Sequence, residues 1–151
     1  MSSPRADELA VVAVGGVLGA LARASISTVV PHHDPAAWPW ATFVTNLLGC
    51  LLLGAVLAWV DARHAGWLTT RPRRARLARP LLASGVLGGF TTFSTFSVEV
   101  VRMSRAGSAG TAVAYAVASV ALGVTLVVAG RALGSSMFGA AELDLADDEA
   151  L

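Results

Sequence analysis

The sequence predicts an all-α membrane protein with four transmembrane helices, and three observations support that class. Of the 151 residues, 55% are hydrophobic and only 14% are charged, which is too apolar for an ordinary soluble domain. The charges separate apolar runs of roughly 20 residues, the length that crosses a ~30 Å hydrocarbon core. No period-two alternation of β-barrel strands is visible. The four runs are about Leu9 to Val30, Trp40 to Val60, Leu81 to Val101 and Ala109 to Leu133.

Three parts follow from this pattern. Residues 1–8 are a polar N-terminal segment, residues 9–133 are the four-helix transmembrane domain, and residues 134–151 are an acidic tail that is predicted to be disordered. The start of the chain lacks the basic region and A-x-A site of a signal peptide, so the first run is expected to be a retained helix. The single cysteine, Cys50, excludes a disulfide within the chain.

The first helix carries a GxxxG spacing and one arginine. Gly15 and Gly19 are four residues apart, which allows another helix to approach closely. Arg23 is costly at the membrane centre, and it is tolerated where it snorkels to the headgroups or faces a polar cavity. Both alternatives remain open.

The first loop and the tryptophans mark the ends of the helices. His32, His33 and Asp34 resemble a metal cluster, but adjacent histidines point in different directions and no fourth ligand follows, so metal binding is not favoured. Tryptophans concentrate at membrane interfaces. One pair is therefore expected at each interface, and the pairs are Trp38 with Trp40 and Trp59 with Trp67.

The second helix places Thr42, Asn46 and Gly49 on one face. An asparagine in lipid must direct its amide toward protein or water, so an interhelical hydrogen bond and a ligand contact are both open. The next segment, Asp61 to Arg79, is predicted to be a loop. Its six arginines indicate topology and contact with anionic lipid, not a nucleic-acid site.

The third run contains the least helix-like stretch, Gly88 to Phe96. Two adjacent glycines followed by two threonines make a poor helix interior. A break at membrane depth is tolerated only where it is buried in protein or lines a cavity. The stretch therefore predicts a broken third helix and a functional site.

Aromatic and polar side chains follow this break. Phe90, Phe93 and Phe96 repeat every three residues, a spacing that is more often a core stripe than a ligand site. Hydroxyl groups lie beside them in the sequence, and Glu99 is near the far end of the run. Tyr115 and Ser119 share one face of the fourth helix.

Three segments together resemble the Fluc (CrcB) family of fluoride channels. They are GGVLGALAR at Gly15 to Arg23, TFVTNLLG at Thr42 to Gly49, and GGFTTFSTF at Gly88 to Phe96. The resemblance covers about Leu9 to Leu133. It implies a passive, fluoride-selective channel, not an enzyme, that exports fluoride from the cytoplasm and relieves its toxicity. It also implies an antiparallel, dual-topology dimer with two pores in the cell membrane.

The resemblance implies roles for individual residues. A structural sodium ion would be held by the backbone carbonyls of Gly88 and Thr91. Arg23 would be a vestibule charge and Glu99 an acidic group toward the pore mouth. Gly123 departs from the family pattern, because another hydroxyl is common there. The implied fluoride pore consists of Asn46, Phe93, Phe96, Ser94, Thr95, Thr42, Tyr115, Ser119, Arg23 and Glu99.

The distribution of arginine predicts one orientation in the membrane. Eight arginines fall on the side of the termini and the second loop, namely Arg5, six between Asp61 and Arg79, and Arg131. Only Arg102 and Arg105 fall in the opposite loops. This positive-inside bias predicts cytoplasmic termini and pairing with an oppositely oriented homologue, while a homodimer remains the alternative.

Three other functions compete with this interpretation. A coupled small-ion transporter would need a titratable relay, for which Glu99 is the candidate. A non-conducting accessory subunit is suggested by Gly123 and the orientation bias. An intramembrane serine protease built on Ser84 is not favoured, because no histidine lies in an apolar run.

Overall fold

The computed structural model describes the backbone of residues 5–31 and 34–148, and the side chains of these residues except 65 and 139–148. Within this part all the regular secondary structure is helical. The α-helices are α1 (Ala6–Val29), α2 (Trp40–Thr70), α3 (Pro72–Arg79), α4 (Gly88–Phe90), α5 (Phe93–Arg105) and α6 (Ala109–Asp148), and a π-helical segment (Pro80–Leu87) joins α3 to α4.

Among the described residues, four stretches are long and apolar enough to cross a membrane. They are Ala6–Val29, Trp40–His64, Pro72–Arg105 and Ala109–Phe138, with lengths of 24 to 34 residues. Aliphatic side chains along α1 and α6 point outward, as expected for contact with lipid tails. The predicted class, an all-α multi-pass membrane protein, is confirmed.

Close backbone contact joins α1 to the π-helical segment and α4. A Cβ atom on Gly15 would lie 2.7 Å from the Leu81 carbonyl oxygen, and one on Gly89 would collide with the Gly16 backbone. Gly85 and Gly89 repeat the spacing of Gly15 and Gly19, so two small-residue faces meet. The close approach predicted from the GxxxG spacing of the first helix is present.

A second close pair, α2 with α6, was not predicted. A Cβ on Gly54 would collide with the Val127 carbonyl oxygen, and one on Gly130 with that of Leu51. Gly134 faces Ala58 in the same way. Gly130 and Gly134 carry a GxxxG spacing of their own, which is the sequence signal for this pair.

The predicted loop from Asp61 to Arg79 is wrong, because the segment is helical. α2 continues to Thr70, and α3 begins at Pro72 after a single non-helical residue, Arg71 (φ −144°, ψ 63°). The residue before a proline is disfavoured in helical geometry, whereas proline is well tolerated in the first turn of a helix. The arginines therefore lie on a helical hairpin.

The third apolar run leaves helical geometry at Thr91 and Thr92, after its two adjacent glycines. Gly88 has helical angles (φ −65°, ψ −35°), whereas Thr91 (φ −79°, ψ 161°) and Thr92 (φ −146°, ψ 119°) are extended. Both extended residues lie within the predicted stretch Gly88 to Phe96, and the glycine pair itself stays helical. The physical reason is that Gly89 is needed for contact with α1, and this contact holds it in the helix.

The acidic C-terminal segment also differs from the expectation. α6 continues to Asp148, through most of the stretch predicted to be a disordered tail. This stretch contains Ala, Leu, Met and Glu, which favour helix, and no proline. The predictions for residues 1–4, 32–33 and 149–151 lie outside the described residues.

Ion pairs show which helix ends lie together. Arg76 of α3 pairs with Asp7 and, at 3.8 Å, with Glu8 at the start of α1. Arg131 of α6 pairs with Asp61 of α2 at 2.9 Å. The start of α1, the C-terminal half of α6 and the arginine-rich hairpin therefore share one end of the bundle.

Candidate functional site

Asn46 of α2 holds the extended segment between α4 and α5. Its side-chain Nδ2 donates to the Thr92 carbonyl oxygen at 3.0 Å, and its Oδ1 accepts from the Thr92 amide at 2.8 Å. Asn46 thus satisfies two backbone groups that leave the helical hydrogen-bond ladder, which would be costly to leave unpaired in a membrane. One Nδ2 hydrogen of Asn46 remains for another acceptor.

Thr92 is also the N-cap of α5. Its Oγ1 accepts from the Thr95 amide at 3.1 Å and donates to Thr95 Oγ1 at 3.0 Å. Its Oγ1 also lies 3.4 Å from Ser94 Oγ. Capping by a threonine hydroxyl explains why the helix resumes directly at Phe93. Sequence reasoning did not select Thr92, although a threonine immediately before an apolar periodic segment is an N-cap signal.

On the α4 side of the break, carbonyl groups lose their usual partners. The Thr92 amide, which would continue the ladder to the Gly88 carbonyl, donates to Asn46. The Thr91 amide and hydroxyl both donate to the Leu87 carbonyl, at 3.0 and 2.9 Å. Arg23 Nε donates to the Gly89 carbonyl at 3.3 Å, so the side chain of Arg23 is directed toward the break.

A buried carboxylate joins three helices on the other side of Thr92. Glu99 of α5 is 9% exposed, and it accepts from Thr42 Oγ1 of α2 at 2.7 Å and from the Tyr115 hydroxyl of α6 at 2.9 Å. A buried polar group that loses its hydrogen-bond partner costs about 1–3 kcal/mol, so both side-chain oxygens favour this arrangement. The network therefore fixes the register of these helices.

Aromatic rings connect this network to the surface. The rings of Phe93 and Phe96 are 5.8 Å apart, and Phe96 lies 5.2 Å from the ring of Tyr115. Tyr115 is completely buried, whereas Phe93 is 81% exposed. The aromatic series therefore runs from the core to the outside of the single chain, and Phe96 lies between the two.

Two cavities lie on either side of Thr92. The first, of about 340 Å³, is lined by residues that include Asn46, Gly88, Thr91, Phe93, Phe96 and Ser119. The second, of about 310 Å³, is lined by residues that include Ser27, Thr42, Thr95, Glu99 and Arg102. Most of the predicted site residues thus divide between two neighbouring cavities. The exceptions are Arg23, which contacts the Gly89 carbonyl of α4, Ser94, which lies beside Thr92, and the buried Tyr115, which contacts Glu99.

The hydroxyl of Ser119 is buried and has no hydrogen-bond partner among the described residues. It belongs to the first cavity, so it is available to a ligand there. One turn further along α6, a Cβ on Gly123 would lie 3.3 Å from Cys50 Sγ. Cys50 occupies the space beside this glycine, and a larger residue at position 123 requires the thiol to move.

Metal binding by acidic, histidine or cysteine side chains has no support in the described part of the chain. No group of three or more such side chains is close enough there to hold an ion. His32 and His33 lie outside the described residues. The donors gathered around the break are an amide, hydroxyls, ring edges and backbone groups, which suit transient coordination of a small ion more than covalent chemistry.

Comparison with known proteins gives consistent similarities. A family model described as "CrcB-like protein, Camphor Resistance (CrcB)" matches residues 10–131, which include every candidate site residue. A protein of Mycobacterium bovis named "Fluoride-specific ion channel FluC 1" is 46% identical over 121 residues, 80% of this chain and 84% of the relative. A protein of Hyphomonas neptunium named "Fluoride-specific ion channel FluC" is 42% identical over 127 residues, which cover 84% of this chain and 94% of the relative.

A third similarity is higher in identity and shorter. "Fluoride-specific ion channel FluC 2" of Thermobifida fusca is 49% identical over 84 residues, and the match covers 56% of this chain and 56% of the relative.

Proposed function

This chain belongs to the CrcB family, and on that premise we propose that it is a passive, fluoride-selective ion channel. Members of this family are ion channels and not enzymes. The observation that carries the proposal is the break at Thr92, where the Asn46 amide, a free Ser119 hydroxyl and two phenylalanine rings line one cavity. The channel exports fluoride from the cytoplasm and so relieves its toxicity.

Selectivity rests on donors that replace the water around a small anion. Fluoride is strongly hydrated, and a pore that admits it must offer hydrogen-bond donors close to its path. The remaining amide hydrogen of Asn46 and the Ser119 hydroxyl are two such donors. Phe93 and Phe96 add the positive edges of their rings. Because each contact is weak, the ion can leave again.

The second cavity forms the far part of the proposed path. Thr42 and Tyr115 both donate to Glu99, which fixes the carboxylate between them. Arg102 lines the same cavity and raises the local concentration of anions. With a negative interior, each exported anion gains about 2.3 kcal/mol per 100 mV, so no energy source beyond the membrane potential is needed.

The surface that the single chain leaves uncovered beside the break supports a dimer. Phe93 is 81% exposed, and Gly88 and Ser94 are also exposed at the break. Non-helical backbone at membrane depth must be covered by protein or water. We therefore propose that a second subunit, packed antiparallel, covers this surface and completes the pores.

The family resemblance implies a structural sodium ion, and the residues at the break fit such a cation in their donor chemistry. The Gly88 carbonyl has lost the Thr92 amide as its ladder partner. Gly88 and Thr91 would hold the ion through their carbonyl oxygens, the ligand type that hard cations prefer. Two carbonyls from one chain leave the remaining positions to the second subunit, so the ion would stabilise the dimer.

We propose that the channel lies in the plasma membrane and that its arginine-rich end faces the cytoplasm. Eight of the eleven arginines belong to this end, and the Arg76 and Arg131 ion pairs support the grouping. A chain with this bias inserts in one direction. An antiparallel dimer then requires an oppositely oriented homologue as the partner.

Accessibility labelling of the chain expressed alone tests this orientation. Cys50 is replaced by alanine, and a single cysteine is added at either terminus. Both termini are expected to react with a membrane-impermeant thiol reagent only after the cells are opened. Labelling of half the molecules from outside would contradict a fixed orientation.

Substitution of a pore phenylalanine tests the function. Phe96→Ile removes a ring edge from the cavity and is expected to reduce fluoride efflux from reconstituted dimers by about half or more, without loss of the dimer. Phe138→Ile is the matched control, because Phe138 lies on α6 beside Arg63 and outside both cavities. Unchanged efflux in Phe96→Ile, or equal loss in both variants, would refute the assignment.

A further inference from the structure

A groove outside the candidate site lies between the end of α2 and α3. Its volume is about 390 Å³. Its walls include two tryptophans, two arginines and leucines, namely Trp59, Trp67, Arg73, Arg74, Leu77 and Leu81. We call it the Trp-Arg groove.

The Trp-Arg groove has one charged end and one apolar end. The lining residues of α3 and the π-helical segment occur in pairs four positions apart, which places them on one helix face. Arg73 and Arg74 are at one end of this face, and Leu81 is at the other. At 1.5 Å per residue, Arg74 and Leu81 are separated by roughly 10 Å along the helix axis.

The two arginines at the charged end are available to a ligand. Elsewhere at this end of the bundle, Arg76 pairs with Asp7, and Arg131 pairs with Asp61. Arg73 and Arg74 are exposed and form no ion pair with any acidic side chain that the structure describes. Adjacent unpaired guanidinium groups are suited to bidentate contact with a phosphate.

The tryptophans place the groove at the boundary of the membrane. Trp59 and Trp67 pack edge to face with their ring centroids 5.2 Å apart. Tryptophan rings prefer the headgroup level, and Leu81 begins the apolar run that follows the arginines of the Pro72–Arg105 stretch. The groove therefore runs from the headgroups into the hydrocarbon, and only an amphipathic occupant with a negative head matches both ends.

We propose that the Trp-Arg groove binds an anionic phospholipid. The lipid phosphate lies between Arg73 and Arg74, and an acyl chain packs along Trp67, Leu77 and Leu81. A free phosphate ion would leave the apolar floor uncovered, so the lipid headgroup is the source of the charge. The bound lipid holds the α2–α3 hairpin against the leaflet that is richest in anionic lipid.

Quenching of tryptophan fluorescence by brominated lipids tests this site. The full chain is reconstituted in phosphatidylcholine vesicles that contain a small fraction of brominated phosphatidylglycerol or brominated phosphatidylcholine. Quenching is expected to show a preference of roughly thirtyfold for the anionic lipid, as for two arginines that each contribute about 1 kcal/mol at an anionic surface. R73Q/R74Q is expected to abolish most of this preference.

The matched control is R71Q/R79Q, which removes the same number of charges from the same hairpin outside the groove lining and is expected to keep the preference. Circular dichroism verifies that both variants are folded.

Equal quenching by the two lipids, or an unchanged preference in R73Q/R74Q, overturns the proposal. Loss of the preference on addition of inorganic phosphate would instead identify a free-anion site. A changed oligomeric mass of R73Q/R74Q with intact lipid preference would identify a contact between copies, and either result also overturns it.

Discussion

Replacement of Asn46 with leucine is expected to reduce fluoride efflux at least about tenfold, which corresponds to ~1.4 kcal/mol in the barrier. Leucine has nearly the same volume but can neither donate to the Thr92 carbonyl nor accept from its amide. Two backbone groups are then unsatisfied, at a cost of about 1–3 kcal/mol each, and the cavity loses an amide donor. The measurement is efflux from liposomes that contain the assembled dimer.

Two further variants make this prediction specific. Val44→Leu changes an outward-facing side chain on the same helix and is expected to leave efflux unchanged. Asn46→Asp keeps an acceptor for the Thr92 amide, so one of the two hydrogen bonds to Thr92 remains. It removes the amide donor and adds a negative charge, so efflux should fall. Normal efflux in a folded Asn46→Leu protein would show that Asn46 is not part of the path.

Leucine substitutions at the two adjacent glycines are expected to have opposite structural effects. A Cβ on Gly88 meets only the Ala83 carbonyl oxygen, at an ordinary 3.8 Å, so Gly88→Leu leaves the single chain folded. Because Gly88 is exposed at the proposed dimer surface, this variant should lose the dimer and fluoride efflux together. Thermal unfolding and the molar mass of the detergent-solubilised protein measure the two effects separately.

Gly89→Leu is the matched variant, with the same change one residue further along. A side chain there collides with the Gly16 backbone, so α1 separates from α4, at a cost of about 1–3 kcal/mol or more. This variant is expected to lose thermal stability. A dimer that is intact in Gly88→Leu, or equal destabilisation by both substitutions, would contradict the proposed interface.

The fold was predictable from sequence where a single physical requirement dominates. A membrane core demands about 20 apolar residues, so the four spans could be located from composition. The arginines between Asp61 and Arg79 obscured the helical hairpin, because a high local charge was interpreted as a loop although Arg71 before Pro72 is its only non-helical residue. The position of the break depends on packing of Gly89 against α1, a tertiary contact that local propensity does not reveal.

The sequence indicates individual candidate residues, but not the hydrogen-bond network that joins them in the structure. The spacing of Thr42 and Asn46 placed them on one face, and the structure directs one to Glu99 and the other to Thr92. Those partners depend on the relative register of three helices, which a single sequence does not specify. Thr92 connects the two cavities and was not selected, because its role arises from the hydrogen bonds made by Asn46 and the α5 cap.

Efflux of fluoride and of chloride from liposomes tests the central claim most directly. The dimer is purified from its native membrane, reconstituted, and compared with protein-free liposomes loaded with the same salts. We expect rapid loss of fluoride and retention of chloride, because the larger and more weakly hydrated chloride gains less from closely placed donors. Equal passage of both anions, or fluoride retention equal to that of protein-free liposomes, would contradict the account.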